Sequence, residues 1–225
     1  MTVSGSSPMP DTIEFKTFES RQEASEALAA ELASVLGSAL AERGRASLVV
    51  SGGSSPVQMF RALGSAPLAW ENVTVVPSDE REVPLDHADR NEAMIRRELM
   101  TGDADRASMV SLHPPGDIPS RFDAVVLGMG SDGHTASLFP GSPDLESAIA
   151  SPGPLARLDV PRLGAHRISL TPGTLLATTR LFLLFFGDEK RDVFERARAA
   201  GDASEYPVRM VLHQGRVTVE VYWAP

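Results

Sequence analysis

The spacing of hydrophobic residues changes period repeatedly along this chain, and the two periods alternate. "TIEFKTF" (12–18) alternates apolar and polar residues and predicts a strand. From Arg21 to Arg43, Ala24, Leu28, Leu32, Val35 and Leu40 recur at helical spacing, which predicts an amphipathic helix stopped by Gly44. "ASLVVS" (46–51), "NVTVVP" (72–77), "FDAVVLG" (122–128), "RLFLLFFG" (180–187) and "RVTVEVYW" (216–223) read as strands, and "VQMFRAL" (57–63), "NEAMIRRELM" (91–100) and "EKRDVFERARAA" (189–200) as helices. The central strands show no polar alternation, so both of their faces are expected to be covered. Strands of that kind, alternating with helices, predict an α/β fold: a Rossmann-like, mostly parallel sheet with helices on both faces. There is no internal repeat and no linker rich enough to divide the chain. A single domain over 12–225 is expected behind a short disordered tail at 1–11, and the Pro/Gly-rich stretch 140–154 reads as an excursion from that domain.

This organisation has a consequence for function. Four short polar segments follow predicted strands: "SGGSSP" (51–56), "SDER" (78–81), "GMGSDGH" (128–134) and "GDEK" (187–190). In a parallel sheet the carboxyl ends of the strands share one edge, and ligands bind there. The four segments, far apart in sequence, are therefore expected to converge.

Composition narrows the chemistry. With 225 residues, 42% of them hydrophobic, the chain can bury a sizeable core. The net charge of −9 argues against a broad surface for nucleic acid, so an anionic ligand would need a local positive pocket. There is no cysteine, which excludes disulfides, thiolate metal sites and a cysteine nucleophile and is compatible with the cytoplasm. The N-terminus lacks the basic and apolar regions of a signal peptide. The longest strongly apolar run, "LFLLFF" (181–186), is too short to span a bilayer. Lys16 and Lys190 are the only lysines among 21 basic residues, which singles out both.

Each polar segment admits a plain reading and a chemical one. Gly52, Gly53 and Ser54 form a tight turn running into a helix that Pro56 would open and Ser55 would cap. Such a turn presents N–H groups to an anion, although the lysine of a nucleotide-binding P-loop is missing. Asp79 could accept a proton or orient a base, and Arg81 could bind an anion or steady an oxyanion; alone, the pair reads as an exposed charged loop. Gly128, Gly130 and Gly133 match G-x-G-x-x-G, but they lie mid-chain and Pro140 leaves no room for the long helix a dinucleotide site needs. The alternative is catalytic. The glycines let the backbone turn and approach a ligand, and Asp132 and His134 project from the loop as a carboxylate–imidazole pair able to handle a proton. Against that stands a histidine that merely caps a short helix. Arg167 opens "RISLTPGTL" and Lys190 follows the last long apolar strand; a guanidinium and an ammonium together can hold a phosphate. No G-x-S-x-G elbow occurs, and the five histidines are too dispersed for a metal site.

Taken in this order, "SGGSSP", "DER", "GMGSDGHTASLFPG", "RISLTPGTL" and "GDEKR" resemble the 6-phosphogluconolactonase family, from about residue 12 to the C-terminus. The resemblance implies hydrolysis of 6-phospho-D-glucono-1,5-lactone to 6-phosphogluconate in the pentose phosphate pathway, with no metal or organic cofactor. By motif, it implies His134 as general base and Arg167 and Lys190 as phosphate holders with the Gly52–Ser54 turn. Asp79, Arg81 and Asp132 would line the lactone end. A lactone is an activated ester, so attack by water needs one proton removed and one oxyanion stabilised, and no covalent nucleophile. Two departures are visible: Arg90 stands where the family usually has a small residue, with an expected effect on the mouth of the site, and "TPGTLLATTR" is looser than usual. The expected partner is a small phosphosugar lactone, not nucleic acid or membrane, for a monomer or weak homo-oligomer. Two other readings stay open: an amino-sugar-phosphate deaminase or isomerase, and a non-catalytic sugar-phosphate sensor.

Overall fold

A computed structural model describes residues 13–225; the tail expected at 1–11 lies outside the described residues. In chain order the elements are β1 (Ile13–Thr17), α1 (Arg21–Arg43), β2 (Ala46–Val50), α2 (Val57–Gly64), β3 (Val73–Pro77), β4 (Asp79–Arg81), α3 (Asn91–Glu98), β5 (Ser108–Met109), β6 (Phe122–Gly128) and α4 (Leu145–Ala150). There follow β7 (Leu155–Val160), β8 (Ala165–Leu170), α5 (Pro172–Leu175), β9 (Thr178–Phe186), α6 (Asp188–Arg198), α7 (Arg209–Leu212) and β10 (Val219–Ala224).

Seven strands form one sheet in the order β1-β10-β9-β6-β2-β3-β5, and every pairing in it is parallel. Successive side chains of a strand point to opposite faces. Leu48 and Val50 of β2 therefore join Leu28, Leu32 and Phe60 of α1 and α2 in one core, whereas Val49 joins Val193 and Phe194 of α6 in the other. With both faces covered, β6 and β9 need no polar positions. Helix α1 starts at Ser20, whose side chain accepts from the Glu23 N–H, and ends at Gly44, left-handed at φ 69 with its N–H on the Leu40 carbonyl. It has the length and mean hydropathy, 1.2, of a membrane span, but Leu28, Leu32 and Leu36 are fully buried in the core.

A second sheet, β4-β8-β7, is antiparallel and has no counterpart in the periodicity of the sequence. β4 begins one residue after β3, and Ser78 joins the two sheets: its N–H bonds Val50 of β2 and its carbonyl accepts from Leu170 of β8. The β7–β8 hairpin turns through Pro161–Leu163 and closes at Gly164, left-handed at φ 56. Two boundaries differ from expectation for identifiable reasons. The last strand begins at Val219 rather than 216, because the Gln214 side-chain carbonyl accepts from the Arg216 and Val217 N–H groups and holds them in a turn. Helix α2 begins at Val57, with Pro56 in the capping position and no side-chain cap, so Ser55 does not cap it.

Candidate active site

One cavity of about 260 Å³ opens at the carboxyl edge of the main sheet, and all four polar segments reach it. Gly52, Gly53 and Ser54 line it after β2, Asp79 and Arg81 after β3, Gly130 and His134 after β6, and Lys190 after β9; Arg167 comes to the same wall from β8. The residues singled out for binding thus border one space, whereas Asp132, expected to line the lactone end, is not among the lining residues and meets the cavity through His134.

The segment after β6 is folded tightly on itself. The Gly130 N–H donates to the His134 carbonyl at 2.9 Å, and Thr135 Oγ1 donates to the Gly128 carbonyl at 2.9 Å. This brings the Asp132 and His134 side chains together: Nδ1 of His134 lies 2.5 Å from Asp132 Oδ1, which also accepts the His134 N–H at 3.1 Å. A Cβ at Gly130 would lie 2.1 Å from that Nδ1, so only glycine leaves room for the pair. Burial acts to raise the Asp132 carboxyl, but the hydrogen bonds and charge of His134 and the charge of Arg162 outweigh it and hold it at about 2. The carboxylate is therefore an acceptor only. Nδ1 must carry the proton, and in the neutral ring Nε2 keeps its lone pair. The ring stacks on Phe139 with centroids 4.1 Å apart.

Across the cavity, Arg81 and Arg167 are register partners of β4 and β8. Arg81 Nη1 donates to the Asp89 carbonyl and, at 3.5 Å, to Asn91 Oδ1, whereas the Arg167 side chain has no hydrogen-bond or ion-pair partner among the described residues. Burial first, then the neighbouring Arg81 charge, lowers the Arg167 guanidinium below its ordinary value. Lys190, in the first turn of α6, likewise has no ion pair, and burial pushes its ammonium down. On the wall of the same cavity, the N–H groups of Gly52, Gly53, Ser54 and Ser55 have no acceptor among the described residues. Unpaired donors and cations around one cavity suit an anion.

The acids of "SDER" divide their tasks. Glu80 is fully buried and accepts from the N–H groups of Arg81, Asn91 and Glu92 at 2.7–2.9 Å, which fixes the start of α3. Asp79 accepts from Ser78 and Ser137 hydroxyls, both at 2.6 Å, tying β4 to the His134 segment. Arg90 is not at the mouth, contrary to expectation. It is 2% exposed, paired with Glu80 at 3.7 Å and Glu92 at 3.2 Å, and bonded to the His113 carbonyl. The other singled-out lysine, Lys16, pairs with Glu220 at 2.7 Å away from the cavity. The sequence reading missed Asn91, which lines the cavity and donates to the Asp79 carbonyl at 2.8 Å, and Phe139, the platform under His134. The asparagine that opens α3 and the aromatic residue five positions after His134 were the available signals.

The family model described as glucosamine-6-phosphate isomerases/6-phosphogluconolactonase matches residues 19–118 and 104–223. The chain belongs to this family. It is 38% identical to a 6-phosphogluconolactonase of Pseudomonas aeruginosa over 96% of this chain and 97% of that protein. A 6-phosphogluconolactonase of Neisseria meningitidis is 37% identical, over 92% and 97%. The crystal structure of a 6-phosphogluconolactonase from Shewanella baltica superposes with a TM-score of 0.91 at 32% identity, covering 96% of this chain and 99% of that one. The family's α/β architecture, with its mostly parallel central sheet, is the fold described above.

Proposed function

We propose that this chain hydrolyses 6-phospho-D-glucono-1,5-lactone to 6-phosphogluconate, a step of the pentose phosphate pathway; the reading is supported by relatives named 6-phosphogluconolactonase. The observation that carries the reading is the meeting, in one cavity, of an imidazole oriented by a carboxylate with an unpaired guanidinium and an unpaired ammonium. Arg167, Lys190 and the free N–H groups of 52–55 hold the phosphate. Nε2 of His134 takes a proton from water as its oxygen attacks the lactone carbonyl, and Asp132 stabilises the imidazolium that forms. The tetrahedral intermediate collapses with cleavage of the bond to the ring oxygen, which receives the proton back from His134. Arg81 lines the lactone end, and Asp79 is a positioning residue, since both its oxygens hold serine hydroxyls. Phosphate binding remote from the carbonyl contributes energy that orients the ring.

This reading includes a cytoplasmic enzyme that is a monomer or weak homo-oligomer, binding neither nucleic acid nor membrane. The deciding experiment follows acid release from freshly prepared 6-phosphogluconolactone above its spontaneous hydrolysis, for the wild type and for His134→Ala. Turnover abolished in the variant supports the reading; equal turnover removes His134 as base. Ammonia release from glucosamine 6-phosphate would transfer the chain to the deaminase reaction of its family.

A further inference from the structure

The catalytic pair has a third member that the sequence motifs do not contain. Asp132 Oδ1 is taken by His134, and the other oxygen, Oδ2, accepts from Nη2 of Arg162. Arg162 lies in the Pro161–Leu163 turn at the tip of the β7–β8 hairpin, thirty positions along the chain from its partner. Its guanidinium also sits 5.0 Å from the ring centroid of Phe139, the same ring on which His134 stacks at 4.1 Å.

We propose that Arg162 is a positioning residue for the reaction: from the hairpin tip it fixes the Asp132 carboxylate and, through it, the orientation and tautomer of His134. The proposal rests on the lactonase reading of this site. A carboxylate held at one oxygen only can rotate about its bond to Cβ and release the ring. Held at both, it presents Oδ1 to Nδ1 in one geometry. An exposed arginine ordinarily forms weak, interchangeable ion pairs, because ordering a long side chain offsets a screened attraction. Arg162 is half exposed, with 51% of its side chain accessible, but the Phe139 face and the Asp132 carboxylate constrain it from two sides. The hairpin supplies a third constraint. Gly164 closes the turn, and β8, which begins at Ala165, carries Arg167 to the cavity opposite Arg81. One antiparallel sheet therefore places both the phosphate-holding guanidinium and the group that orients the base. Lys190 is the other cation whose charge reaches Asp132, and Arg81 and Arg167 complete the positive groups of the cavity. Arg162 alone among these bonds the carboxylate directly.

The test compares Arg162→Met, which keeps length but not charge, with Arg162→Lys, which keeps charge but not the planar fork. Steady-state lactone hydrolysis and the ¹⁵N resonances of the His134 ring are measured for both. Arg162→Met is expected to lower kcat about ten-fold, the equivalent of one charge-assisted hydrogen bond, with KM within about two-fold of wild type. Its ring should change from a single Nδ1–H tautomer to a mixture, and Arg162→Lys should restore part of both. Wild-type kcat in Arg162→Met, a loss confined to KM, or a lowered kcat with an unchanged ring tautomer would each overturn the proposal. If wild-type protein does not hydrolyse the lactone, the functional reading fails, and the tautomer measurement still decides whether Arg162 orients His134.

Discussion

Arg81 and Arg167 stand directly opposite each other in the antiparallel pairing of β4 and β8. Two guanidiniums so placed repel, and of the two only that of Arg81 has hydrogen-bond partners among the described residues. A dianionic ligand relieves that repulsion. Arg167→Met is expected to raise KM for the lactone by about 10- to 100-fold while kcat stays within a few-fold, the result for lost binding that is uniform between ground and transition state. Steady-state kinetics check this, and weaker competitive inhibition by inorganic phosphate should accompany it. A loss in kcat alone would remove Arg167 from the phosphate.

Gly130 tests the acid–base pair without altering either of its members. A methyl group there would fall 2.1 Å from His134 Nδ1 and 2.6 Å from Asp132 Oδ1, so Gly130→Ala must part the two side chains. The expected outcome is a fall in kcat of roughly 10²-fold or more, comparable with loss of a general base, while thermal unfolding moves little. Wild-type kcat in this variant would show that the pair is not needed in its observed geometry.

Lys190 should be held at a cost to stability. Burial lowers its ammonium below the ordinary value of 10.5, so the unfolded chain binds this proton more tightly than the folded protein does. Between the lowered folded value and 10.5, the unfolded state carries more protons, and stability from this group rises with pH. Below that window the full penalty applies. Lys190→Met is therefore expected to raise Tm at pH 7 by roughly 1–3 °C, to flatten the alkaline rise, and at the same time to raise KM. Calorimetry across pH and kinetics on the same sample separate these effects; a lower Tm would contradict the argument.

Arg90 is expected to matter for folding and not for the mouth of the site. Arg90→Ala leaves Glu80 without its guanidinium in a fully buried position and should destabilise the protein by about 3 kcal/mol in denaturant titrations. KM of the folded fraction should remain that of the wild type. A raised KM without destabilisation would return Arg90 to the cavity.

Much of this was legible in the residues because it rests on local periodicity. The apolar runs of β6 and β9 announce strands buried on both faces, and the parallel sheet that follows requires the four polar segments to meet at one edge. His134, Lys190 and the 52–54 turn are placed by that rule without any contact being known. Only the family pattern pointed Arg90 toward the mouth; its pairing with the buried Glu80, which also holds the Asn91 N–H at the helix start, has no local signal. Ser55 misled because a serine before proline reads as a cap, and the helix instead begins one residue later.

The short antiparallel sheet had no local signal. β4 is three residues long and finds its partner β8 at least 86 positions away, and β7 pairs only with β8 across a turn. The sequence by itself determined the layered α/β architecture and the edge at which chemistry occurs, because strand burial and helix amphipathicity are properties of neighbouring residues. Only the tertiary structure decided which side chains meet there: Arg81 against Arg167, Arg162 on Asp132, Asn91 under Gly52. Those contacts depend on register between distant segments, and no spacing along the chain encodes it.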